Sequence, residues 1–110
     1  MIKAQIETIQ DKLQSAKNIP SDTKAELLQL LVELETEVSL LSQTHGEEAQ
    51  KIARSTHLST EEITRSEKKP ELMESALQEL RESVVGFESS HPKMTGVVGQ
   101  LATTLSNMGI

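Results

Sequence analysis

The sequence lacks cysteine, tryptophan and tyrosine, and Phe87 is its one phenylalanine among 110 residues. A chain without Cys cannot form disulfides, use a thiol nucleophile or build Cys-type zinc and iron–sulfur sites. A chain with one aromatic carbocycle cannot stack RNA bases on a sheet or build an aromatic cage around a cation. The length is that of one domain.

Clustered positive charge and long apolar runs are also missing. The net charge is −6, from 17 acidic and 11 basic residues, and the longest basic run is Lys68-Lys69. Binding to nucleic acid needs clustered Lys and Arg, so we expect none. No stretch approaches the 18 or so apolar residues of a membrane span, and the first residues are not those of a signal peptide. We expect no membrane span and a cytoplasmic location.

What is present is an aliphatic, helical pattern. Leu, Ile, Val and Phe make up about a quarter of the residues, enough for a folded chain. Apolar residues recur every three or four positions, which indicates an all-α fold of antiparallel helical hairpins in a bundle or coiled coil. Because the core would be thin and almost without rings, we expect a second chain to complete it.

Residues 1–42 are predicted to form an N-terminal helical hairpin. Pro20 separates its two helices, and Ser21 or Asp22 is expected to cap the second. The second helix has apolar residues on more than one face, which favours a place at the centre of the bundle. The apolar positions of the hairpin are Ile2, Ile6, Ile9, Leu13 and Ala16, then Leu27, Leu31, Leu34, Val38 and Leu41.

Residues 43–69 are predicted to be a polar, partly helical connector. Two alternatives remain for its start: the second helix continues to about Ser55, or the chain breaks near Gly46. Ser59 and Glu62 have the spacing of a capping box, which would begin a short helix. Few large apolar residues follow, so we expect this segment to pack weakly.

Residues 70–110 are predicted to form a C-terminal helical hairpin. Pro70 suits the first position of a helix. Ser90, His91 and Pro92 form the predicted corner before the last helix, with Phe87 as its anchor. Residues 92–110 contain one charged side chain, Lys93, so we expect burial on most sides of that helix. The small residues of this helix predict close contact with another helix, and they are Gly96, Gly99 and Ala102.

The C-terminal residues resemble a known family. Phe87-Glu88-Ser89-Ser90-His91-Pro92, followed by a helix and then Leu105-Ser106-Asn107-Met108-Gly109-Ile110, is similar to the F-E-x-x-H-P and L-x-N-M/I-G-I patterns of an uncharacterised bacterial family of short proteins, domain of unknown function family 4404. The strong resemblance covers about the last 25 residues. It implies an all-helical fold and no particular activity.

Three histidines are the candidates for chemistry. His45 with Glu48, and His57 with Glu61, have the spacing of neighbouring residues on a helix, but no third metal ligand is indicated. His91 lies near Glu88, and a structural role at the corner is favoured over a general base, which needs a pocket and a reactive partner. We therefore expect no metal and no cofactor. A metal-dependent or acid–base enzyme using His45, His57 or His91 is the least favoured hypothesis.

The sequence favours a non-catalytic, self-associating helical protein that acts through protein–protein interaction, with a homodimer as the expected oligomer. The alternative is a regulatory adaptor that docks its apolar C-terminal helix on a larger partner complex. The residues predicted to form the interface are Leu27, Leu31, Leu34, Val38, Leu41, Phe87, Met94, Val98, Leu101 and Leu105.

Overall fold

The structure, a computed structural model, describes residues 2–109. Five α-helices account for most of them, and no strand occurs within this range. The predicted all-α fold is therefore confirmed. The helices are α1 (Ile2–Ser15), α2 (Ser21–Leu41), α3 (Gly46–Thr64), α4 (Pro70–Glu82) and α5 (Pro92–Gly109).

Each of the three prolines stands at the start of a helix. Pro70 and Pro92 are the first residues of α4 and α5, where the missing N–H would have no partner in the helix in any case. Pro20 is the N-cap of α2, whose helical residues begin at Ser21. The prediction that Ser21 or Asp22 is the N-cap of α2 is wrong, because both lie inside the helix, where Asp22 accepts a 3.2 Å hydrogen bond from the Thr23 N–H.

Helix α3 lies at the centre of the bundle and contacts the other four helices. Helix α1 packs on α2 and α3, whereas α5 packs on α2, α3 and α4. Thr104 lies beside Glu26 and Lys93 beside Glu37, so α2 and α5 run antiparallel. The central position predicted for α2 belongs to α3.

The predicted polar connector of residues 43–69 contains the 19-residue helix α3. The break near Gly46 is the correct alternative, since α2 ends at Leu41. Ser59 caps no helix: it lies inside α3, is fully buried, and donates a hydrogen bond to the Ala76 carbonyl of α4 at 3.0 Å. The connector prediction failed because α3 buries mostly small side chains, namely Ala49, Ala53, Ser55, Thr56, Ser59 and Thr60.

The five helices enclose one aliphatic core. The apolar positions of α1 and α2 pack in one cluster with Ile52 and Ile63 of α3 and Leu80 of α4. Ile52, Ile63 and Leu80 are at most 1% exposed. The radius of gyration is 12.9 Å, close to the ~13 Å typical of a compact chain of this length. One chain therefore closes its own core, which removes the reason for expecting a second chain to complete it.

The last helix departs from the prediction of burial on most sides. Ala102 is buried, but Gly96 is exposed, and a Cβ added at Gly96 or Gly99 would have no heavy atom of another element within 4 Å. The close helix contact predicted at these two glycines is absent from the described part of the chain. None of the described helices has the length and apolar character needed to cross a membrane.

Candidate functional site: the outer face of helix α2

The residues predicted to form an interface between chains lie inside this one. Nine of the ten are at most 1% exposed: Leu27, Leu31, Leu34, Val38, Leu41, Met94, Val98, Leu101 and Leu105. Their regular spacing reflects packing among the chain's own helices, because the same pattern serves an internal bundle and an intermolecular coiled coil. The interface prediction for these side chains is corrected to a core role.

Phe87 is half-buried and belongs to a cluster of three rings at one end of the bundle. Its ring centroid lies 5.5 Å from that of His45 and 5.6 Å from that of His91, both edge-to-face. The two imidazoles are 6.4 Å apart. The predicted corner of Ser90, His91 and Pro92 is thus held by Phe87 together with His45, which sequence reasoning had placed in the connector.

The two histidines of the ring cluster have matching local structure. The His45 Nδ1 is hydrogen-bonded to the Thr44 hydroxyl at 2.8 Å, and the His91 Nδ1 to the Ser90 hydroxyl at 2.9 Å. Each histidine directly precedes a helix, α3 or α5. In both places the sequence has a hydroxyl residue, then a histidine, then the first residue of a helix. This shared pattern is the sequence signal that would have paired the two histidines.

The three histidines do not converge on one point. His57 is 12 residues beyond His45 along α3, a rise of about 18 Å. Its Nε2 is buried without a hydrogen-bond partner. Within residues 2–109, no three His, Asp or Glu side chains are grouped closely enough to hold a metal ion.

An open groove of about 940 Å³ lies between α3 and α4. Lys51, Arg54 and Glu79 stand on its walls, with Glu47 and Glu48 at one end. All five are exposed charged side chains. Such a lining of mixed sign keeps the groove hydrated and favours no single class of ligand.

The outer face of α2 is uncharged and exposes two large aliphatic side chains. We define it by the exposed residues Ala25, Gln29, Val32, Thr36 and Leu40, which follow one another at spacings of four, three, four and four. These spacings place the side chains on one side of a helix. Val32 is 52% and Leu40 56% exposed. A helix face turned to solvent normally carries charge, so an uncharged face with two large aliphatic side chains marks a surface suited to contact.

A row of carboxylates borders this face on the side of α5, and we call it the acidic row. It consists of Asp22, Glu26, Glu33 and Glu37. Glu26 accepts a hydrogen bond from Thr104 at 3.4 Å, and Glu37 lies 4.0 Å from the Lys93 ammonium, which is the only basic group of α5. Both contacts are long, and the Lys93 side chain is mostly exposed, so they offset little of the row's charge.

The one base of α2 is engaged elsewhere. The Lys24 ammonium donates hydrogen bonds to the carbonyls of Gln14, at 3.2 Å, and Ala16, at 2.7 Å. These carbonyls belong to the C-terminal end of α1, where a positive charge stabilises the helix dipole. The outer face of α2 therefore borders a row of negative charge with no base of its own helix beside it.

The described residues form an all-α bundle of five helices. The outer face of α2, beside the acidic row, is its candidate functional surface. A family model described as "Domain of unknown function (DUF4404)" matches residues 55–110, just over half of the chain, and the chain belongs to this family. The matched residues comprise the second half of α3 with α4 and α5. Comparison with curated proteins and with solved structures found no match.

Sequence reasoning missed the outer face of α2 although its signal was present. Val32 and Leu40 are among the apolar residues that occur on more than one face of α2, and such a pattern normally means burial on several sides. The absence of any charged residue at positions 25, 29, 32, 36 and 40 was the signal that distinguishes them. Spacing alone could not show that these positions face solvent.

Proposed function

We propose that this protein is a non-catalytic helical protein that acts by binding another protein through the outer face of α2. The observation that carries the proposal is the pair of large aliphatic side chains, Val32 and Leu40, exposed on a face without charge. Removing such side chains from water is the main favourable contribution to most protein associations.

A different protein fits this face better than a second copy of the chain. In an antiparallel two-fold pairing of two α2 helices, the two acidic rows would lie on the same side of the contact and repel each other. In a parallel pairing, each acidic row would meet Leu28, Glu35 and Ser39 of the other copy, which supply no positive charge. The proposal therefore favours an adaptor over self-association, with α2 as the docking helix in place of the predicted C-terminal helix.

Site-specific photo-crosslinking in the native cell tests the proposal. The full chain would carry a photoreactive amino acid at position 32 or 40, and at the exposed position 78 of α4 as a matched control. We expect one crosslinked protein from positions 32 and 40 that is absent from position 78. No crosslink at either α2 position, or the same products from all three, would overturn the proposal. A product made only of two copies of this chain would replace it with self-association.

A further inference from the structure

We infer that the outer face of α2 takes a basic amphipathic helix, a segment with one apolar stripe and Lys or Arg along one border of that stripe. This inference rests on the proposed function and specifies the chemistry of the partner. It follows from the shape of the face, the placement of the acidic row and the charges that are missing beside it.

The shape of the face fits another helix. Ala25, Val32 and Leu40 lie seven and eight residues apart, so they are separated by about 10 and 12 Å along α2. A partner helix with apolar residues at positions i, i+3 or i+4, and i+7 repeats at nearly the same interval. An extended strand has no exposed sheet edge to pair with, because the described chain contains only helices.

The placement of the acidic row sets the charge of the partner and the border of its apolar stripe on which that charge lies. Asp22 and Glu26 are exposed, and Glu33 and Glu37 are half-buried, all on one side of the face. Beyond the row lies α5, which supplies the single base Lys93 at the far end. A partner with Lys or Arg on the matching border would place its charges against this row, whereas an acidic partner would be repelled.

Anionic surfaces compete poorly for this face. Anionic lipid and nucleic acid both present negative charge, which the acidic row and the net charge of −6 repel. The uncharged residues cover a single helix face, so the contact would be small and the association weak and transient. Because the attraction is between exposed charges, salt would weaken it.

The test uses two synthetic peptides of 18 residues as probes. Both have Leu at helical spacing, and they differ only in carrying Lys or Glu along one border of the Leu stripe. Binding is followed by NMR chemical shifts of the isotope-labelled full chain at increasing peptide concentration. We expect the Lys peptide to shift residues of α2, with Val32 and Leu40 among the largest, and to bind at least about tenfold more tightly than the Glu peptide.

Variants of the full chain show where the peptide binds and separate the apolar contribution to binding from the electrostatic one. Leu40→Ser should weaken binding of the Lys peptide about tenfold, and Glu33→Gln should weaken it less and reduce its dependence on salt. The matched controls are Leu72→Ser and Glu74→Gln, which alter an exposed leucine and an exposed glutamate of α4 and should leave binding unchanged. All four positions are at the surface, and circular dichroism of each variant confirms that its helices are retained.

Three results would overturn the inference: equal binding of the two peptides, shifts spread evenly over the acidic residues of α3 and α4, or no binding of the Lys peptide. Each would leave the proposed function standing if positions 32 and 40 still crosslink to a protein in the cell. Failure of crosslinking would instead remove the proposed function itself.

Discussion

Helices α3 and α5 are each buried to a different extent from the one that their charge content predicts. Helix α3 has six charged residues among 19 and lies at the centre of the bundle, in contact with every other helix. Helix α5 has one charged residue among 18 and leaves Gly96, Gln100, Thr103 and Asn107 exposed. The number of charges in a segment is therefore a poor measure of how much of it is buried.

The difference between the two helices lies in the size and hydrogen bonding of their side chains. Three of the four buried hydroxyl residues of α3 donate hydrogen bonds: Ser59 to the Ala76 carbonyl of α4, Thr56 to the Ile52 carbonyl at 2.8 Å, and Thr60 to the Thr56 carbonyl at 3.0 Å. A buried hydroxyl with a partner avoids most of the cost of leaving water. Small residues with internal hydrogen bonds thus let neighbouring helices lie close to α3, while its charged residues remain at the rim.

The largest effect on the free energy of unfolding is expected when one buried aliphatic side chain is truncated in each helix. Ile52 of α3 is 0% exposed and Leu101 of α5 is 1% exposed. Replacing either with Ala leaves a cavity, so we expect the free energy of unfolding to fall by about 2–5 kcal/mol in both Ile52→Ala and Leu101→Ala. Urea unfolding followed by circular dichroism measures it, because the chain has no Trp or Tyr to report by fluorescence.

The matched control for both cavity variants is Val32→Ala, which truncates an aliphatic side chain that is 52% exposed. It should change the free energy of unfolding by less than about 1 kcal/mol. A loss of less than 1 kcal/mol in Ile52→Ala would restore α3 to the weakly packed connector expected from its sequence.

The second test uses the glycines of α5. Because no atom of another helix lies within 4 Å of a Cβ at Gly96 or Gly99, alanine fits both positions and adds helix propensity. We expect Gly96→Ala and Gly99→Ala each to stabilise the fold by about 0.5–1 kcal/mol. Gly86→Ala should do the opposite, because Gly86 has a φ of 98°, a left-handed conformation that alanine adopts at a cost of about 1–2 kcal/mol. Thermal unfolding of the three variants gives the signs directly, and destabilisation by Gly96→Ala would indicate a close contact at that glycine after all.

Sequence reasoning was strongest where large aliphatic residues and prolines determine the outcome. The helices beginning at Pro70 and Pro92 were predicted correctly, as was the apolar seam of α2, because proline geometry and helical spacing are local properties. It failed at Ser59, whose burial depends on α4 lying beside it. It also misjudged Val32 and Leu40, because the side of α2 that faces solvent is decided by the positions of α1, α3 and α5.

The ring cluster shows the same limit at the level of a site. Phe87 and His91 are four residues apart, and their rings lie edge-to-face with centroids 5.6 Å apart. His45 is more than 40 residues away in sequence and joins them only because the loop before α3 and the loop before α5 lie at the same end of the bundle. A local pattern therefore indicated the corner, and only the packing of the helices could supply its third ring.

The smallest effect concerns the charged rim of α3. The Lys12 ammonium of α1 donates a 2.9 Å hydrogen bond to the Glu61 carboxylate of α3, and this bond holds the pKa of Glu61 below its ordinary value. A carboxylate with a lowered pKa stabilises the fold above its unfolded pKa and loses that contribution as the pH falls through the folded value. Both side chains are about two-fifths exposed, so Glu61→Gln should cost less than about 1 kcal/mol at pH 7. The difference in free energy of unfolding between the unmodified chain and Glu61→Gln should shrink as the pH falls below about 4.3 and vanish in stronger acid.

Urea unfolding between pH 7 and strong acid measures this difference. Glu7→Gln, on the exposed side of α1, is the control for the loss of one negative charge. A cost that stays constant down to strong acid would show that the charge of Glu61 is not what stabilises the fold.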